Sequence, residues 1–346
     1  MLMARSPVRI SIGGGGTDLP AFYERYGGAV LSTTIDRYAY VMLHVTQSSE
    51  LQIASSDYGT FYRHQGEGPL QWEGDLSLPK AVLHHFGIAR GVRLFLASEV
   101  PPGTGLGSSS AVAVALIKAV SAACGLEMER HAIAELACDM EIRKMGMPIG
   151  KQDQYAAAFG GFNFFTFEGS GVHVEPIRVA QDTLEGFHRS LLLFYTGATR
   201  NSSSILGEQT KNSSGNDERV VTALKAVKNV AYEAKRLLER GHVREIGALL
   251  HASWQEKKKF ASGVTRPFVD ECYELAQSRG ALGGKLTGAG GSGFLMLFCE
   301  PPHQANVTEA LEARGLKRMN FNFDQNGARV LINGSVRLTR AFAQAS

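Results

Sequence analysis

The chain has few of the features that mark secreted, membrane-bound or nucleic-acid-binding proteins. Cysteine is scarce among its 346 residues: Cys124, Cys138, Cys272 and Cys299 lie far apart with no CxxC pair, which excludes a dense disulfide framework or a zinc ribbon. Each sits in an apolar pattern, as expected of small buried thiols in a reducing cytoplasm. An excess of one charge is also lacking. The 36 Lys and Arg against 33 Asp and Glu leave +3, too mild a balance to imply a nucleic-acid partner. The one tight basic cluster, Lys257 to Lys259, closes an amphipathic helical pattern and reads as a solvated helix C-terminus favoured by the dipole. Long apolar runs are absent, "GFLMLFC" being far short of the roughly 20 residues that cross a bilayer. The opening "MLMARSPVRISIGGGG" has no apolar signal region. Histidines show no HExxH spacing, and His84–His85 reads as the exposed flank of a helix. The expectation is a cytoplasmic protein that binds small molecules, with no membrane or nucleic-acid partner.

Glycine, by contrast, is abundant, with 39 residues. Three dense segments, Gly13–Gly16, Gly103–Gly107 and Gly283–Gly293, each adjoin a strand pattern. Tight turns explain one such segment; three suggest a shared pocket where backbone approaches a ligand closely. The stretch "PPGTGLGSSSAVAVALIKAV", Pro101 to Val120, runs a small-residue loop straight into an alanine-rich helical pattern. A helix N-terminus has unpaired N–H groups and the positive end of the macrodipole, so an anion is the natural ligand there. The simpler alternative is a cap by Ser108, Ser109 or Ser110. No segment reads GxxxxGK[ST], and "GGGG" lacks the GxGxxG spacing and distal acid of a dinucleotide fold.

The periodicities predict a mixed α+β protein with two sheets, each backed by helices, and a boundary near residue 175. Strand patterns cover "VRISI", "GAVLSTTID", "YAYVMLHVT", the hairpin "LQIASSD"/"FYRHQ", and "GVRLFLASEV". Helices are expected near Leu78–Phe86, at Ala111–Cys124, at His131–Met145 and from Gln152 to Gly160. Further on, "SLLLFYTG" is a buried strand and Thr199–Asn216 a polar loop or lid. Helices follow at Glu218–Arg240, Val243–Phe260, Pro267–Ser278 and Gln304–Arg314. The last strands are "KRMNFNF" and "GARVLIN".

Four polar residues stand out in this frame. Ser109, at the helix start, suits a hydroxyl ligand to Mg²⁺ bound on phosphates. Glu141 taken alone is a surface glutamate paired with Arg143 or Lys144. Asp153 taken alone is a first-turn acid favoured by the dipole. Arg9 places a charge inside an apolar β pattern, where it needs a partner.

"SPVRISIGGGGTDLP", "PPGTGLGSSSAVAVAL" and "GGKLTGAGGSGFLML" together resemble, in order, the three signature motifs of the GHMP kinase superfamily. The resemblance covers nearly the whole chain. It implies a two-domain GHMP kinase fold, a mixed sheet with helices in each domain, here residues 1–175 and 176–346. It also implies a sugar kinase using ATP and Mg²⁺. Pro102, Gly103, Thr104, Gly105, Leu106, Gly107, Ser108, Ser109 and Ser110 would wrap the ATP phosphates, and Ser109 and Glu141 would hold Mg²⁺. Asp153, in a segment like the family's "MDQ" signature with Lys151–Gln152 before it, would act on the acceptor hydroxyl, with Arg9 beside it. Asp18 matches the aspartate that galactokinase-like members turn towards sugar hydroxyls. Gly15 and Gly16 replace the glutamate and histidine typical there and leave room for a larger sugar, with Thr17 and Gly288 counted in the same site. The stretches "GGAVLSTTIDRYAYV", "RISIGGGGTD" and "GKQDQYAAAFGGFNFF" are most similar to heptose kinases. These act at the anomeric carbon of D-glycero-D-manno-heptose 7-phosphate, giving a 1,7-bisphosphate for bacterial surface polysaccharide. A second phosphate on the acceptor requires cations, for which Lys151 is the first candidate, followed by Arg37, Arg200 and Lys285. Other sugar-1-kinases, fucokinase-like or acting on uronic acids, and a non-catalytic sugar or ATP sensor are the alternatives. A homodimer is left open.

Overall fold

The computed structural model describes residues 1–65, 68, 70–197, 203–215 and 217–338. In chain order the first half carries β1 (Leu2–Gly13), α1 (Pro20–Tyr26), β2 (Gly28–Val45), β3 (Leu51–Ser55), β4 (Thr60–His64), α2 (Ser77–His85) and β5 (Val92–Ser98). There follow α3 (Ser108–Ala123), α4 (Arg130–Cys138), a π-helical turn at Asp139–Lys144, α5 (Gln152–Phe159), β6 (Phe162–Glu168) and β7 (Gly171–Pro176). The second half begins with α6 (Gln181–Arg189), β8 (Leu191–Tyr195), α7 (Ser203–Ser214), α8 (Glu218–Glu239), α9 (Glu245–Lys257) and α10 (Pro267–Ser278). It ends with β9 (Ala281–Leu286), β10 (Phe294–Cys299), α11 (Gln304–Ala313), β11 (Lys317–Arg318), β12 (Phe323–Asp324) and β13 (Arg329–Asn333).

Two sheets result. The larger runs β13-β1-β2-β5-β3-β4, with β6 and β12 also on β2 and β7 on β6; all its pairs are antiparallel except β3 with β5. The smaller is antiparallel in the order β11-β8-β10-β9. The two strands expected from "GAVLSTTID" and "YAYVMLHVT" are one, β2. Its 18 residues serve both β1 and β6, and its register against β1 jumps by two residues between Pro7 and Val8, where Asp36 and Arg37 bulge out. The boundary expected near residue 175 divides the sheets only as far as Arg318, since β12 and β13 return to β2 and β1. One apolar core lies under the large sheet and α3, and a second between the small sheet and α10 and α11. In α3, Ala111, Ala113, Ala115 and Ala119 are fully buried, so small side chains let a central helix sit close to β1 and β2. The four cysteines are free thiols, three buried and Cys124 half-buried.

Two departures from the sequence reading bear on function. The segment expected as a polar loop contains α7, whose buried positions Ile205, Gln209 and Ser213 recur every four residues. Two of the three are polar, which hid the helical stripe; α7 packs on α1, itself unanticipated, as is α6. Residues 199–202 and 216 of that segment, Arg200 among them, lie outside the described residues, as do 198 and 339–346. The helix expected at His131–Met145 changes to a π turn at Asp139. Among the described residues no helix is long and apolar enough to cross a membrane.

Candidate active site

The three glycine segments meet in one cleft of about 580 Å³. The loop before α3 and the loop after β9 touch through glycines: a Cβ on Gly288 would lie 2.5 Å from Gly105 Cα, so no side chain fits at that crossing. Gly107 then starts α3 in the left-handed region, at φ 76°, and no side chain caps the helix. Its first-turn N–H groups therefore face the cleft without a protein acceptor from a capping side chain. The serines do other work. Ser109 Oγ donates to Glu141 Oε1 at 2.7 Å, and Gln154 Nε2 donates to Glu141 Oε2 at 2.6 Å.

Glu141 is no surface residue. It is wholly buried, and Arg143 pairs with Asp139 instead, at 2.7 Å. The π turn widens the helix by one residue per turn and aims Glu141 inward, a distortion that recurs at functional sites. Burial pushes its carboxyl pKa up, opposed by hydrogen bonds from Ser109, Ser110 and Gln154. Neutral donors alone leave a buried carboxylate without a counter-charge, so the pair Ser109–Glu141 fits a divalent cation. Mg²⁺ needs only one or two protein oxygens when phosphates and water complete its shell. In keeping with that economy, no cluster of three or more acidic, histidine or cysteine ligands occurs among the described residues.

Arg9 finds the partner its position demanded. It is buried on β1, and its Nε and Nη2 donate to Asp153 Oδ1 at 2.8 and 2.6 Å while Nη1 donates to Gly105 O at 2.7 Å. One guanidinium thus locks the first turn of α5 to the loop before α3. Asp153 Oδ2 is left beside Gly107, on the cleft side. Asp18 is likewise buried. Its carboxylate accepts from Gly16 N and from both the backbone N and Nε2 of Gln152, at 2.8–3.1 Å. Burial raises its pKa, and the nearby Asp153 raises it further.

Most of the residues expected at the site come together here: Arg9, Gly15, Gly16, Asp18, Pro102, Gly103, Gly105, Gly107, Ser108, Ser109, Ser110, Glu141, Asp153 and Gly288 all line the cleft. Four do not. Thr17 is buried and its hydroxyl donates to Gly14 O and Ala29 O, so it shapes the turn. Thr104 Oγ1 donates to Pro101 O within the loop, and Leu106 is core. Lys151 turns away to Glu135, at 3.3 Å, because that acid also takes the Tyr155 hydroxyl behind α5. Arg37 pairs with Asp36 on the bulge of β2, outside the cleft. The room expected at Gly16 is taken by Gln209 of α7, whose Nε2 would lie 2.8 Å from a Cβ there, and at Gly15 a Cβ would lie 3.2 Å from Ser11 Oγ, closer than an ordinary contact.

Lys257 is the main residue that the sequence reading misplaced. Its neighbours Lys258 and Lys259 are partly exposed, but Lys257 is buried, lines the cleft, and donates to Leu286 O and Gly288 O. Burial lowers its pKa to about 7, helped by Arg9 and opposed by Asp18. The signal lay in the spacing: Leu250, Ser253, Trp254 and Lys257 form one buried stripe of α9.

An uncapped helix start, a buried carboxylate beside a serine hydroxyl and an arginine-held aspartate line one cleft, a set whose chemistry suits phosphoryl transfer to an alcohol. Residues 77–161 match the family model for the GHMP kinases N terminal domain and residues 234–317 that for GHMP kinases C terminal. The D-glycero-alpha-D-manno-heptose 7-phosphate kinase of Campylobacter jejuni is 30% identical over 334 residues, covering 95% of this chain and 98% of that protein. The mevalonate kinase of Pyrococcus horikoshii is 28% identical and covers 88% and 92% of the two chains. A crystal structure of a D-glycero-D-manno-heptose 1-phosphate kinase from Bacteroides thetaiotaomicron superposes with a TM-score of 0.82 at 28% identity, over 97% of this chain and all of that one. The chain belongs to the GHMP kinase family, and its two-sheet α+β architecture is the two-domain fold of that family.

Proposed function

We propose that the protein is a sugar-1-kinase that transfers the γ-phosphoryl group of MgATP to the anomeric hydroxyl of D-glycero-D-manno-heptose 7-phosphate. The observation that carries this reading is the pair Arg9–Asp153 facing the uncapped start of α3, with Asp18 and Gln152 across the same cleft. The triphosphate lies on the loop Pro102–Ser110 and the first turn of α3. Its base enters an adjoining apolar cavity of about 280 Å³, lined by Leu78, Leu96, Val100, Val112 and Met147, which shares Pro102, Ser108 and Ser109 with the cleft. Ser109 and Glu141 would hold Mg²⁺, which would supply charge neutralisation on the phosphates. Asp18 orients acceptor hydroxyls. Asp153 Oδ2 receives the hydroxyl proton, while Arg9 holds that carboxylate in place. The anomeric oxygen forms the new bond to phosphorus, the bond to the β,γ-bridging oxygen breaks, and ADP leaves.

The heptose assignment is supported by the two heptose kinases among the relatives, whose names place the sugar phosphate at different carbons. It would place the enzyme in the cytoplasm, feeding surface-polysaccharide synthesis, with a first domain of residues 1–175 completed by the returning strands β12 and β13 and a second built on the small sheet. A panel of acceptors tests it: heptose 7-phosphate, mannose, mannose 6-phosphate, fucose, galactose and mevalonate, with MgATP and a control lacking acceptor. ADP release confined to the heptose phosphate is the expected result. Turnover on another acceptor and none on the heptose phosphate would overturn the substrate; acceptor-independent behaviour throughout would overturn the kinase reading.

A further inference from the structure

Behind the cleft lies a second, smaller chamber. It shares Arg9, Gly15, Gln152, Lys257 and Gly288 with the cleft and adds Ser11, Val227, Ser253 and Lys285. Its polar lining is unusual in two respects. Lys257 and Lys285 are both buried, and neither pairs with a carboxylate among the described residues. Lys285 Nζ donates to Ile12 O at 3.1 Å, and Lys257 to the two carbonyls already named. An ammonium has three N–H donors, so two remain on Lys285 and one on Lys257. Second, Ser11 Oγ and Gln152 Oε1 are buried without a hydrogen-bond partner, although both residues are more than nine-tenths buried.

Unpaired buried donors and charges are costly, and proteins keep them where a ligand completes them. Here most of the incomplete groups are donors, the N–H groups of Lys257 and Lys285 and the Ser11 hydroxyl, against the single acceptor Gln152 Oε1. Burial first and the Arg9 charge second lower the amine pKa of Lys257, and burial, Lys257 and Arg9 together lower that of Lys285, so a bound anion would favour the protonated form of both. The acids facing them are Asp18, which acts on Lys257 from across the chamber mouth, and Asp153, whose charge Arg9 already takes up. The missing partner is therefore an anion. Gly15 leaves the path from cleft to chamber open: a Cβ there would lie 3.2 Å from Ser11 Oγ.

We propose that this cationic chamber mouth binds a phosphate ester carried by the acceptor at the end remote from the attacked hydroxyl. The inference rests on the acceptor reading given above and assigns the residues that would discriminate a phosphorylated sugar from a free one. The free space of about 20 Å³ takes a group the size of one water. The phosphate accordingly sits at the mouth, where Lys257 and Gln152 face both spaces. One of its oxygens, or a bridging water, enters between Ser11 and Lys285.

Two measurements test this and keep its failure apart from failure of the acceptor reading. The first needs no turnover: inorganic phosphate is titrated calorimetrically into the enzyme saturated with the non-hydrolysable analogue MgAMPPNP, so that the nucleotide's own phosphate positions are filled. Binding that weakens by roughly tenfold or more in Lys257→Met and Lys285→Met, and not in the surface control Lys258→Met, is expected. The second compares kcat/KM for heptose 7-phosphate and for free heptose. The preference for the phosphorylated sugar should fall by about tenfold to a hundredfold in Lys257→Met. Thermal melts accompany both, and methionine in place of a buried lysine should leave the fold intact. Phosphate binding that depends on Lys257 without heptose turnover would keep the anion site and discard the heptose. Heptose phosphate turnover with a preference insensitive to both folded lysine variants would keep the kinase and overturn the anion site.

Discussion

Replacing Gly107 by alanine probes the geometry at the point where the phosphate loop meets the acid. Gly107 sits at φ 76°, where an L-residue costs about 1–2 kcal/mol. A Cβ there would lie 3.1 Å from both Cγ and Oδ2 of Asp153, closer than an ordinary contact. Something must give by a few tenths of an ångström, and the choices are narrow. The backbone of Gly107 accepts the Ala111 N–H as the helix begins, and Asp153 Oδ1 is tethered twice by Arg9. The free oxygen Oδ2 is the part that moves, and it is the oxygen assigned to the acceptor proton. Misplacing a reacting group by about 1 Å costs on the order of 100-fold, so a shift of a few tenths of an ångström in Gly107→Ala should lower kcat by about 3- to 10-fold. Stability should fall only by the backbone cost, a few degrees in Tm. Steady-state ADP release at saturating MgATP and acceptor, run beside a thermal melt, separates the two. An unchanged kcat in a variant with the expected loss of Tm would refute the placement of Oδ2.

Other perturbations act on separate parts of the account. Asp153→Asn should cut kcat by about 10²- to 10⁴-fold with little change in nucleotide affinity; a variant that keeps full turnover would remove Asp153 as the proton acceptor. Glu141→Gln should raise the Mg²⁺ concentration for half-maximal rate by roughly tenfold, measured by metal titration at fixed ATP. The same change alters acid behaviour: a carboxyl whose folded pKa is raised makes the protein lose stability as pH climbs through that pKa, and the glutamine variant should lack this fall. Lys257 has the opposite sign. Its pKa is lowered to about 7, so above that pH the unfolded chain holds a proton that the folded chain lacks. Stability should therefore rise with pH, by about 2–3 kcal/mol between pH 7 and pH 9 relative to Lys257→Met. Denaturant titrations of both proteins at the two pH values check it, and parallel pH dependence would contradict the burial of that amine.

Much of the site was legible because its chemistry is written in backbone-permissive residues. Glycine runs beside strand patterns marked the loops at Gly13–Gly16, Gly103–Gly107 and Gly283–Gly293, and the cleft is where they meet. Arg9 could be read as needing a partner because it interrupts an apolar strand. What the sequence hid was hidden for definable reasons. Glu141 depends on a π turn, and nothing in "CDMEIRKMG" distinguishes that turn from an α-helix whose glutamate faces solvent. The buried stripe of α7 is Ile205, Gln209 and Ser213, polar enough to pass for a loop. Lys257 stands in a run of three lysines, two partly exposed, and only its phase with Leu250, Ser253 and Trp254 gives it away. Lys151, adjacent to the catalytic segment in sequence, points to Glu135 because a residue two places from Asp153 at a helix start faces a different side.

The central claim is that Asp153, held by Arg9, delivers an anomeric hydroxyl to the γ-phosphoryl group of a nucleotide lying at the start of α3. The most direct measurement is phosphorus NMR of the product made from MgATP and D-glycero-D-manno-heptose 7-phosphate, with proton coupling resolved. The account predicts one ADP per turnover and a second sugar phosphorus signal coupled to the anomeric proton. A new phosphate coupled to any other sugar proton, or ADP formed with the sugar unchanged, would contradict it.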